Sequence, residues 1–160
     1  MSPKTKVLAV ALLVLSASTA VADPGHHGPT PNIATAYGRP GDPARGGHVV
    51  QVAMLETKNG MAFAPSRIEV RQGEQVQFVL HNNGELDHEL VVGTVETNRA
   101  HAEVMAKHPD MAHEDPNAKR LHPKTSGVLR WQFTQAGEFE YACLIPGHRE
   151  AGMKGMIIVR

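Results

Sequence analysis

The run Cys143-Leu-Ile-Pro-Gly-His148-Arg-Glu-Ala-Gly-Met153 holds the one cysteine of the chain, with a histidine and then a methionine following at five-residue intervals. It leaves a strand pattern: in Glu138-Phe-Glu-Tyr-Ala-Cys143, the side chains of Phe139, Tyr141 and Cys143 share one side at period two. The thiol thus continues an inward-facing apolar row. His88, Leu90 and Val92 form a matching row upstream. A fold that satisfies both rows must bring two strand ends together over one core. Pro146 and Gly147 suit the turn that carries His148 back toward Cys143, and closing so short a loop costs little chain entropy.

The chemistry of these four side chains is specific as a set. A thiolate, two imidazoles and a weak thioether are the ligands of a mononuclear copper held in a trigonal His2Cys plane with a long axial Met bond. His88, Cys143, His148 and Met153 are therefore the expected ligands. Two alternatives remain within the sequence: Met156 is close to Met153, which as a flexible apolar residue also suits a core, and His81 is a second upstream histidine. His81 falls on the side of Val79, opposite Phe78 and Leu80. Zinc also accepts Cys and His, but a methionine ligand favours copper. A thiol enzyme with Cys143 as nucleophile and His148 as base is a further reading, although it gives Met153 no role.

At 160 residues the chain suits one domain with a real core. Residues 1–22 have the pattern of a secretory signal: Lys4 and Lys6, an apolar stretch from Val7 to Leu15, and Ala20-Val21-Ala22 as a cleavage site after Ala22. The apolar stretch is shorter than the roughly 20 residues of a membrane span, so the expectation is a periplasmic protein with no membrane span after cleavage. Exported cysteines are usually paired, so a lone one points to an intermolecular bridge, a reactive thiol or a metal ligand. Basic and acidic residues balance at 16 each with no basic block, which argues against nucleic acid as a partner.

Residues 23–47, rich in Pro and Gly and including His26-His27, read as a flexible arm. From residue 48 to 160 short β-rich segments alternate with turn residues: 48–56, 67–71, 75–81, 88–93, 128–134, 138–143 and 154–160. The fold class is all-β, an antiparallel sandwich with one short helix. The helix spans 97–107, capped by Thr97 or Asn98 and ending before Pro109. It lies in an insertion, residues 94–127, that carries His101, Met105, His108, Met111, His113 and His122. His101, Met105 and His108 share a helical face, which makes them, with Met111 and His113, candidates for weak secondary copper contacts. The alternative is a face that packs on the sandwich or meets water.

These motifs together resemble the cupredoxins, the type 1 copper family of azurin and plastocyanin. The resemblance runs from Phe63-Ala-Pro-Ser-Arg-Ile-Glu-Val through Gly73-Glu-Gln-Val and Asp87-His88-Glu-Leu to Cys143-x4-His148-x4-Met153-Lys-Gly-Met. It is closest to small periplasmic cupredoxins of copper tolerance, which also carry a His/Met segment before the cysteine. The resemblance implies a Greek-key sandwich and one mononuclear copper on His88, Cys143, His148 and Met153. It further implies Cu(I)/Cu(II) cycling in copper tolerance or one-electron transfer, with a periplasmic redox or copper-handling protein as partner and no enzymatic activity. The histidines that wire a multicopper oxidase are replaced here by Ala142 and Leu144, and a binuclear site would need a second cysteine.

Overall fold

The computed structural model describes residues 35–108 and 115–160. The proposed export segment, His26-His27, Met111 and His113 lie outside them. Among the described residues, ten strands and one helix follow in chain order: β1 Arg39–Pro40, β2 His48–Thr57, β3 Gly60–Ala64, β4 Arg67–Val70, β5 Gln75–Asn82, β6 His88–Gly93, α1 Val95–Lys107, β7 Ala118–Leu121, β8 Ser126–Gln132, β9 Gly137–Ala142 and β10 Lys154–Val159.

Two five-stranded sheets form, in the orders β1-β8-β5-β2-β3 and β4-β10-β9-β6-β7. Pairing is antiparallel except for β2 with β5 and β4 with β10, which run parallel. The expected sandwich is thus present, with two parallel pairs that strand patterns alone do not reveal. Its interior is filled by the inward rows anticipated from alternation: Val76, Phe78 and Leu80 from β5, Leu129 and Trp131 from β8 with Phe133 beyond its end, and Phe139 and Tyr141 from β9 with Cys143 beyond its end. The Phe78 and Phe133 rings meet edge to face at 6.4 Å, a geometry that adds to burial. Gly155 is required where β10 crosses Tyr141, because a Cβ there would stand 2.3 Å from the phenol oxygen. That oxygen donates to the Pro65 carbonyl.

Three strands escape a sequence reading. β1 and β7 are edge strands, and β7 exposes Lys119 and Arg120 while turning only Leu121 into the core. Such a segment looks like a polar loop, and charge on an edge also blocks unwanted pairing. β3 pairs with the second half of β2 through Met61, Ala62 and Phe63.

The arm expected over 23–47 is not free in its described part. Tyr37 stacks on Trp131 at 5.6 Å, and Trp131 Nε1 donates to the Tyr37 carbonyl at 2.9 Å. Arg39 and Pro40 pair with β8, and the Gln75 side chain ties down Asp42 and Arg45. A buried tryptophan needs an acceptor for its N–H, and this segment supplies it.

Helix α1 begins earlier than expected, at Val95, because Thr94 rather than Thr97 is the cap. The Thr94 hydroxyl accepts from the Thr97 amide at 3.1 Å and the Thr97 hydroxyl accepts from the Thr94 amide at 2.8 Å, a reciprocal box that satisfies two otherwise orphaned donors. The helix covers the outer side of the second sheet, where Ala102 packs on Val91, Ala142 and Leu144. This explains why β6 is buried at every position and why Leu90, Val91 and Val92 are apolar in succession rather than alternating.

Candidate metal centre

At one end of the core, β6 delivers His88 and the segment leaving β9 delivers Cys143. Both are fully buried. The loop after Cys143 is held by its own backbone: the His148 amide donates to the Ile145 carbonyl, the Met153 amide to the His148 carbonyl, and the Cys143 amide to the Met153 carbonyl, each at 3.0 Å. Positive-φ glycines at 147 and 152 permit the two reversals. The three expected ligand positions of the loop are therefore stitched to one another by backbone hydrogen bonds.

The ring nitrogens converge. His88 Nδ1 and His148 Nδ1 are 3.2 Å apart, and Cys143 Sγ is 3.4 Å from the same His148 nitrogen. All three donor atoms fall within 4.8 Å of one another, and among the described residues this is the one place where three metal-ligating His, Cys, Asp or Glu side chains gather so closely. Met153 is fully buried in the same core cluster. Met156 belongs to the other side of β10, paired with Glu140 rather than beside Tyr141, and so is directed away from Cys143. His81 also faces outward, with its ring nitrogens 2.8 Å from Ser126 Oγ and from Gln51 Oε1. Strand parity thus favours Met153 and His88 over both competitors.

Burial pushes the Cys143 thiol up to about 12, against opposing hydrogen bonds from the Glu89 and Ile145 amides. This buried, protonated thiol is a poor nucleophile, which removes the basis for the thiol-enzyme reading. The same two amides become supports for a thiolate once a cation displaces the proton. His148 is shifted down by burial first and by the nearby His88 second, which favours the neutral imidazole that a metal requires. Two imidazole nitrogens and one sulfur converging at one largely buried point fit copper better than a hard cation.

Around these residues lie polar groups that sequence reading did not single out. Glu89, buried beside Cys143, accepts from the Leu144 amide at 3.1 Å. Glu56 accepts from His88 Nε2 at 3.2 Å. The buried Glu140 carboxylate binds Arg149 through two nitrogens at 2.9 and 3.2 Å and accepts from Asn98 Nδ2 at 3.1 Å, joining α1 to the residue that follows His148. A lone carboxylate in an alternating strand carries no sequence signal for such a role. Of the secondary contacts suggested on α1, Met105 is buried at 2% exposure, His101 is partly buried and His108 is the exposed C-cap. The apolar thioether goes to the buried side of an amphipathic helix.

Residues 50–160 match the family model described as copper binding proteins, plastocyanin/azurin family. The chain is 49% identical to the copper-resistant cuproprotein CopI of Rubrivivax gelatinosus, over 98% of this chain and 99% of that protein. It is 32% identical to the protein of the same name from Pseudomonas aeruginosa, over 94% of this chain and 93% of that one. Among solved structures, auracyanin B superposes with a TM-score of 0.61 at 24% identity, covering 78% of this chain and 94% of its own, a likeness of fold. The sandwich, the converging His, Cys and His donors and the matched family agree: this chain belongs to the plastocyanin/azurin family of copper-binding proteins.

Proposed function

We propose that His88, Cys143, His148 and Met153 together hold one type 1 copper ion and that the protein serves copper tolerance in the periplasm, after removal of residues 1–22. The observation that carries the ligand assignment is the approach of His88 Nδ1, His148 Nδ1 and Cys143 Sγ at one buried point. The tolerance role is supported by near full-length similarity to two proteins named copper-resistant cuproproteins.

Copper in such a ligand set supplies one-electron cycling between Cu(I) and Cu(II). The chain's own contribution is rigidity and access. His88, Cys143 and Met153 are closed off by the core, whereas His148 is half-buried at the end of an exposed Pro146-Gly147 turn. His148 is therefore the ligand through which an electron reaches the surface and a redox or copper-handling partner.

The test is genetic. This chain, expressed in a Pseudomonas aeruginosa or Rubrivivax gelatinosus strain lacking its own CopI, restores growth in excess copper, and Cys143→Ala does not. Equal rescue by both proteins, or no rescue by an exported and folded wild type, contradicts the proposal.

A further inference from the structure

Glu56 stands near the end of β2, in the opposite sheet from His88. One of its oxygens, Oε1, collects three hydrogen bonds: from the Glu85 amide at 2.7 Å, from the Leu86 amide at 2.8 Å and from His88 Nε2 at 3.2 Å. The two amides belong to the turn that leads into β6. The carboxylate thus grips both the approach to His88 and the imidazole itself. The space it needs is kept by Gly84, where a Cβ would stand 2.3 Å from Glu56 Oε1 and 3.0 Å from His88 Nε2.

The direction of the hydrogen bonds follows from the chemistry. Two backbone amides donate to the same Oε1 that meets His88 Nε2, and a carboxylate oxygen held in this way accepts and does not donate. The proton between Glu56 and His88 therefore resides on Nε2. That leaves the Nδ1 lone pair of His88 directed at the point where His148 and Cys143 converge. A carboxylate bonded to the far nitrogen of a metal-ligating histidine fixes its tautomer and raises its basicity, and its negative charge favours the more positive state of a nearby metal.

We propose that Glu56 is a positioning residue of the copper centre: it fixes His88 in the Nε2–H tautomer, locks the turn before β6, and biases the bound copper toward Cu(II). This inference rests on His88 being a copper ligand. It names a role for Glu56 that neither fold nor ligand motif supplies, since the residue lies 32 positions before His88 and on a different sheet.

Glu56→Gln and Glu56→Ala separate the two parts of the role. All three donors converge on one oxygen, which glutamine retains while losing the charge; alanine loses both. Nitrogen-15 spectra of the metal-free full chain read the His88 tautomer with no metal present. The expected result is a single Nε2–H form in the wild type and in Glu56→Gln, and a mixture in Glu56→Ala. With copper added, the reduction potential shifts upward in both variants and the copper–thiolate band persists. A wild-type tautomer in Glu56→Ala, or an unchanged potential in both variants, overturns the proposal. A wild type that shows no copper–thiolate band overturns the ligand assignment instead, and the metal-free tautomer distinguishes that failure from one at Glu56.

Discussion

His88 and His148 meet Nδ1 to Nδ1 at 3.2 Å although 60 positions separate them in sequence. The Cys143 sulfur lies 3.4 Å from the same His148 nitrogen, so three donor atoms crowd one point. Such an arrangement is relieved by a proton or a cation at the common point. The fold holds this geometry by strand ends and backbone bonds of the loop, and a site held in this way undergoes little rearrangement when its charge changes.

The Cys143 thiol makes the metal-free protein sensitive to alkali. Its ordinary value is near 9 and burial raises it to about 12 in the fold. The native state therefore holds the proton more tightly than the unfolded chain. That contribution is fully present below about pH 9 and is lost as pH rises toward 12, for a total on the order of a few kcal/mol. Tyr141, also raised by burial, adds a similar loss starting nearer pH 10. Urea unfolding of metal-free protein between pH 7 and 11 is expected to show falling stability, with a shallower fall in Cys143→Ala. Identical slopes for the two proteins contradict the assignment of this effect to Cys143.

Glu140 and Arg149 form the most enclosed ion pair among the described residues, with side chains 4% and 13% exposed. Removing one partner of a buried pair strands the other, at about 3–5 kcal/mol. Glu140→Ala is expected to fall at the low end of this range, since Arg149 reaches some water, and to loosen both α1 through Asn98 and the loop carrying His148. Denaturant unfolding gives the first effect. Weaker copper retention against a chelator gives the second. A loss below 1 kcal/mol with unchanged retention refutes this coupling.

The two nearby methionines have opposite expected phenotypes. Met153→Leu is close to volume-conserving and is expected to cost less than about 1.5 kcal/mol, yet it removes the thioether and changes the reduction potential and visible spectrum of the copper-loaded protein, since the axial ligand tunes both. Met156→Leu, on the other face of β10, leaves both unchanged. Spectra and voltammetry of the pair decide it, and a reversal of the two phenotypes would assign the axial position to Met156.

The sandwich and its copper loop were legible because their signals are local. Alternation at Phe139, Tyr141 and Cys143, and the spacing to His148 and Met153, directly encode which side chains face inward at one strand end. β7 was hidden because an edge strand with Lys119 and Arg120 outward has one core residue, Leu121, too few for a period. The start of α1 differs from the expected Thr97 or Asn98 cap because reciprocal bonding with Thr97 selects Thr94, while Asn98 goes to Glu140. The anchoring of Tyr37 depends on Trp131, distant by 94 positions. Glu56, Glu89 and Glu140 act through contacts of 9 to 55 positions, and a carboxylate on a strand has no mark that distinguishes such a role from solvation.

The central claim is that Cys143 binds copper as a thiolate beside two imidazoles, and one optical titration tests it most directly. Metal-free protein is given one equivalent of Cu(II), with Cys143→Ala as the control. The account predicts an intense copper–thiolate absorption in the visible, about 450 to 600 nm for sites of this kind, that saturates at one equivalent, bleaches on reduction and is missing from Cys143→Ala. A weak band of equal strength in both proteins would place the copper on peripheral histidines and contradict the account.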